Sequence, residues 1–208
     1  MEKSEEKYYK HTLIERLMHW LNVVVMFLLI LSGLQIHYAT LYIFGTMTNA
    51  RYIHFISMYF FFFMGILYMY QFFVLGRFRD SMFMPRDIKG IIPTIKYYLF
   101  LTDEEPHFKK YNPLQKIAYG GTFVMGFIMA LTGFAIYWPK PFVFVCSFCG
   151  GVGYVRTIHF IFSWLFISFL MIHVYLVCTE DFKDSLIGMI TGYVPKEEDE
   201  GTERGEKA

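Results

Sequence analysis

Charge is scarce in this chain and unevenly placed. Only 18% of its 208 residues are charged, against roughly 25% in typical soluble proteins. No basic strip is present and the net charge is +1, so nothing suggests a nucleic-acid partner. Cysteine is nearly absent. Cys146 and Cys149 form one Cys-x-x-Cys, and Cys178 stands apart. A relay between two outward cysteine pairs therefore has no second pair to use. A cleavable leader is not expected either: the first apolar stretch is too long for a signal core and has no small-residue cleavage site.

What is abundant is apolar surface. Hydrophobic residues make up 55% of the chain and aromatic residues 21%. Four apolar stretches, at about 13–37, 51–75, 117–138 and 155–178, reach the roughly 20 residues that a membrane-crossing helix needs. We call them spans I to IV. They predict an all-α membrane protein, a four-transmembrane-helix bundle with cytoplasmic interfacial helices. The expected domain covers 1–193, and the acidic tail at 194–208 is expected to be disordered.

The few charges set the expected orientation. Of the 19 Lys and Arg, all but Arg51, Lys140 and Arg156 fall on the side of the N-terminus, the 76–116 segment and the C-terminal end. All 18 Asp and Glu fall there too. A Lys and Arg excess marks the cytoplasmic side. Both termini are thus expected in the cytoplasm of a multi-pass inner-membrane protein, with 38–50 and 139–154 facing out. Within 76–116, residues 87–101 mix apolar residues with Lys89 and Lys96, which predicts a helix lying on the cytoplasmic surface, interrupted or bent at Pro93. Asn112-Pro113 fits the N-cap and first position of span III.

Ionisable residues inside a membrane are costly and usually functional. Four histidines stand out. His19 and His173 lie one to two turns inside the cytoplasmic ends of spans I and IV; His54 and His159 lie about one turn inside the outer ends of spans II and IV. They pair by depth. His159 and His173 are fourteen residues apart, close to four turns, so they share a face about 21 Å apart along the axis. Two imidazole pairs at two depths suit two stacked haems, because haem iron takes one neutral imidazole on each face. His37 competes with His54: it also returns to the face of His19, but nearer the surface. His11 and His107 lie in polar segments and are expected in solvent.

Arg51 and Arg156 stand at the outer starts of spans II and IV, where the helix dipole is already positive. An anion nearby would relieve this. Haem propionates are one such anion and lipid phosphates the other. The glycines of span III, with Gly33 and Gly65, could admit a flat ring or simply close helix packing.

Several motifs together resemble a known family. Arg16-Leu-Met-His19-Trp20 opens span I, and His54 comes early in span II. Tyr111-Asn112-Pro-Leu-Gln115-Lys116 precedes span III, and span IV carries His159 and His173-Val-Tyr175. Over 11–193 the chain resembles the dihaem cytochrome b membrane subunits of respiratory formate dehydrogenases, nickel-iron hydrogenases and thiosulfate or polysulfide reductases. The resemblance implies two haem b, the inner held by His19 and His173 and the outer by His54 and His159. It also implies a quinone pocket near the inner haem, lined by Asn112 and Gln115, with Lys116 beside them.

The function so implied is electron transfer between an outer-face iron–sulfur subunit and the quinone pool on the cytoplasmic side. Primary substrate chemistry would belong to another, catalytic oxidoreductase subunit. Two other functions are open to the same sequence. One is a quinone-coupled disulfide oxidoreductase using Cys146 and Cys149; the other is a stand-alone dihaem cytochrome b.

Overall fold

Capping residues decide where each long helix begins. In the computed structural model, which describes residues 7–74, 76, 82–104, 106, 108, 112–179 and 186–195, helix α1 (Leu13–His37) starts at a reciprocal box. The Thr12 N–H donates to Glu15 Oε2 at 2.9 Å, and the Glu15 N–H to Thr12 Oγ1 at 3.3 Å. Helix α2 (Met47–Val74) begins four residues before the apolar run does, because Thr46 Oγ1 accepts from the Asn49 N–H at 3.1 Å.

Helix α3 (Ile88–Tyr98) follows a 3-10 turn at Pro85–Asp87. It runs unbroken through Pro93, so the interruption that the sequence allows there does not occur. Helix α4 (Pro113–Tyr137) starts on an Asn112–Gln115 box with Pro113 at its first position. A short helix α5 (Val143–Phe148) occupies the stretch read as an outer loop. Gly150 and Gly151, at φ of 88° and 118°, then turn the chain into α6 (Val152–Thr179). Helix α7 (Gly188–Thr191) is the last among the described residues.

Helices α1, α2, α4 and α6 are each long and apolar enough to cross a membrane. Their large apolar side chains are widely exposed, among them Leu17, Phe63, Phe127 and Met171. Such a surface is unfavourable in water by about 25 cal/mol per Å² and is at home in lipid hydrocarbon. The chain is an all-α membrane protein.

The chain divides into two compact units, one of Met1–Val24 with Ser168–Ala208 and the other of Val25–Ile167. In the first, β1 (Lys7–Tyr9) pairs antiparallel with β2 (Tyr193–Pro195), Tyr8 opposite Val194. Val194 is fully buried, so the folded chain runs two residues past the expected boundary at 193; residues 196–208 of the expected tail lie outside the described residues. The Trp20 indole N–H donates to the Met189 carbonyl at 3.2 Å, and the Arg16 guanidinium donates to that of Ile190. His11, expected in solvent, is half-buried here, with its backbone N–H on the Gly192 carbonyl. His107 lies outside the described residues. Gly192, at φ of 89°, closes α7; a Cβ there would stand 2.8 Å from Tyr9 Cε2 and 3.0 Å from the His11 carbonyl oxygen.

In the second unit, α3 packs on the start of α4. A Cβ on Gly90 would stand 2.7 Å from Pro113 Cγ, and Lys116 Nζ meets Asp87 Oδ1 at 2.9 Å with both side chains 13% exposed. The bond from Lys116, followed by the one from the Met84 N–H, holds the Asp87 carboxyl below the usual carboxylate range. A small core of Ala135, Val145, Cys146 and Val155 joins α4, α5 and α6.

Candidate functional site

The four span histidines come together as two facing pairs. In the first unit the ring centres of His19 and His173 are 6.5 Å apart, with the planes 57° apart. In the second unit those of His54 and His159 are also 6.5 Å apart, at 70°. Their helices explain the placement. His19 stands on the second turn of α1 and His173 near the end of α6, while His54 and His159 each stand on the second turn of their helix.

The separation has a chemical meaning. An imidazole nitrogen sits about 2 Å from a first-row metal, and its ring centre lies about 1 Å further out. Two imidazoles on opposite sides of one metal therefore put their ring centres about 6 Å apart. Among the described residues no group of three or more His, Cys, Asp or Glu could hold a bare metal ion. A pair suffices only if the cofactor brings its own equatorial ligands, as a haem does. Both pairs fit that group.

His37 is placed elsewhere. Its ring stacks on Phe160, 4.2 Å between centres and 19° between planes, and meets the edge of Tyr38 at 4.5 Å. It is His54 that faces His159.

Two hydroxyls that the sequence reading passed over complete the outer pair. Ser32 Oγ lies 2.9 Å from His54 Nδ1, and Thr132 Oγ1 lies 2.9 Å from His159 Nδ1. Gly33 and Gly133 follow them in sequence. A Cβ on either would crowd the same rings, at 3.3 Å from His54 Cε1 and 3.4 Å from His159 Cε1. The signal was present as Leu31-Ser32-Gly33 and Leu131-Thr132-Gly133, one hundred residues apart.

Arg51 and Arg156 are exposed, each one turn ahead of its histidine. Asn112 Oδ1 accepts the Gln115 N–H at 2.8 Å and its amide donates to the Tyr98 hydroxyl at 2.8 Å. Gln115 Oε1 accepts the Asn112 N–H at 3.0 Å, and Lys116 is on Asp87. Asn112 and Lys116 thus tie α4 to α3 and its preceding turn, while Gln115 completes the cap of α4. Cys146 is buried in the small core with its thiol toward the Ala135 carbonyl, Cys149 is half-buried, and all three cysteines are free.

Residues 10–192 match the prokaryotic cytochrome b561 family. A protein of Escherichia coli (strain K12) named as a B-type cytochrome subunit of Ni/Fe-hydrogenase 1 is 28% identical over 221 residues, covering 93% of this chain and 94% of its own. A Ni/Fe-hydrogenase B-type cytochrome subunit of Azotobacter chroococcum mcd 1 is 34% identical over 110 residues, 47% of this chain and 46% of its own. A protein of Azospira oryzae named as a protein-methionine-sulfoxide reductase subunit is 26% identical over 200 residues, 91% of this chain and all of its own. The match spans most of the chain, all four membrane helices and both histidine pairs, and on it the chain belongs to the prokaryotic cytochrome b561 family: it is a haem-carrying, b-type membrane cytochrome of electron transport.

Proposed function

We propose that this chain is the dihaem membrane subunit of a respiratory oxidoreductase complex of the hydrogenase type. It passes electrons between an iron–sulfur partner on the outer face and the quinone pool. The observation that carries this reading is the pair of facing histidine couples, each with ring centres 6.5 Å apart. His19 with His173, and His54 with His159, hold one haem b each. When bound, haem b supplies reversible one-electron exchange.

The chain's own residues do the rest. The four imidazoles hold iron through neutral nitrogens and add no charge to the span. Arg51 and Arg156, exposed one turn ahead of His54 and His159, offer guanidinium groups to the propionates. Asn112, Gln115 and Lys116 are the residues proposed to line the quinone site. A polar cluster at the start of an otherwise apolar helix can recognise quinone carbonyls and exchange protons with water. The chain sits in the inner membrane with both termini cytoplasmic, as the Lys and Arg distribution supports. A catalytic subunit carries out the primary substrate chemistry, as the names of the hydrogenase relatives suggest.

Purification of the tagged chain from native membranes in mild detergent tests this. An iron–sulfur subunit is expected to co-elute, and its electron donor should reduce the b-type absorption and then added quinone. A chain that elutes alone, with its haem still reduced by small diffusible donors, would instead mark a stand-alone cytochrome.

A further inference from the structure

The two hydroxyls beside the outer histidines share one hydrogen-bond pattern. Ser32 Oγ donates to the Leu28 carbonyl four residues back, with the Leu29 carbonyl at 3.3 Å. Thr132 Oγ1 donates to the Ile128 carbonyl at 2.7 Å, with that of Met129 at 3.3 Å. This is the usual back-bond of a hydroxyl residue inside a helix. A hydroxyl has one proton to give. With that proton on the carbonyl, the oxygen can only accept from the imidazole 2.9 Å away.

Each outer histidine must then carry its proton on Nδ1. In a neutral imidazole the other nitrogen, Nε2, is left with the lone pair. Both hydroxyls are buried, Ser32 at 0% and Thr132 at 4% exposure, so water does not compete. Gly33 and Gly133 hold the backbone close enough for the contact and leave the rings room. The inner pair has no such support: among the described residues, neither ring nitrogen of His19 or His173 has a hydrogen-bond partner.

We propose that Ser32 and Thr132 are positioning residues of the outer site, which fix the tautomer of His54 and His159, aim both Nε2 atoms at one iron and lower its reduction potential. The last effect follows from charge. An Nδ1–H that donates a hydrogen bond makes its imidazole a stronger base toward the metal. A stronger donor favours the oxidised, more positive iron, and so lowers the potential. The inference rests on the ligand reading above and extends it to two side chains that never touch the iron.

The test uses the complex purified with its haem. Midpoints are measured by optical redox titration and haem is counted per chain by pyridine haemochrome. The wild type must first show two haem b per chain; one or none overturns the ligand reading and this inference with it. With two present, the Ser32→Ala, Thr132→Val double variant should retain both haems. One midpoint should rise by about tenfold in its equilibrium constant, which is about 59 mV for a one-electron couple. The other midpoint should stay.

Thr132→Ser and Ser32→Thr keep the hydroxyl and should titrate as wild type. If the double variant drops to one haem while the hydroxyl-keeping variants retain two, the positioning role stands on that difference. Unchanged midpoints in the double variant overturn the inference and leave the ligand reading intact. So does a hydroxyl-keeping variant that behaves like its hydroxyl-free counterpart.

Discussion

The two histidine pairs share a spacing and differ in their surroundings. His54 and His159 are half-buried, each is braced by a hydroxyl, and each abuts a glycine. His19 and His173 lean on aromatic neighbours. His19 meets Trp20 edge-on at 5.5 Å, and His173 stacks on Phe169 at 5.9 Å and remains exposed. One pair is oriented by directed hydrogen bonds, the other by ring contacts and by the strands and caps that tie its unit together. A hydrogen bond sets both tautomer and basicity, whereas a ring contact sets only orientation. The same two-imidazole motif can thus be given two different electronic settings by what stands behind it.

The largest expected effect comes from removing a ligand of either pair. His159→Ala and His173→Ala should each halve the haem b content per chain, and the midpoint lost should differ between them. Loss of the same midpoint in both variants would collapse the comparison. A smaller effect is expected from crowding the braced side. Gly133→Val places bulk where a Cβ alone would already stand 3.4 Å from His159 Cε1 and 3.6 Å from Met58 Sδ. Overpacking of this kind typically costs about 1–3 kcal/mol. Haem counting should show partial loss at the outer pair, while Gly121→Ala, where nothing lies within 4 Å, should match wild type.

The unbraced side has its own weak point. Gly192→Ala puts a Cβ 2.8 Å from Tyr9 Cε2 at a residue with φ of 89°, at a cost of about 1 kcal/mol or more. Thermal bleaching should then release the inner haem at lower temperature and leave the outer one unaffected. Equal sensitivity of both would mean that the two regions do not stand independently.

Acid gives the smallest effect. Asp87 has its carboxyl held below the usual range, first by Lys116. The stability it contributes is therefore complete above the ordinary carboxylate value of 3.8 and is lost as pH falls through the lower folded value. Melting curves between neutral pH and pH 3 should show this loss in the wild type and not in Asp87→Asn.

The membrane helices were legible in the sequence because each apolar run is long, and the start of α1 was read at its observed residue. The starts of α2 and α6 were not, because Thr46 and Gly151 extend helices into polar or glycine-rich residues that interrupt the apolar pattern. Depth in the sequence pairs His54 with His159 but leaves His37 open as a rival, and only the fold, which stacks His37 on Phe160, separates the two. The β1–β2 pair was invisible: three-residue strands more than 180 residues apart leave no local period. Ser32 and Thr132 were missed because a lone hydroxyl inside an apolar helix normally satisfies itself on its own backbone. Here it does that and accepts a second bond as well.

The central claim is that two imidazole pairs hold two haems. Pyridine haemochrome quantification of the purified complex, normalised to the chain by amino-acid analysis, tests it most directly. Two haem b per chain is the predicted result, and one haem b per chain would contradict it.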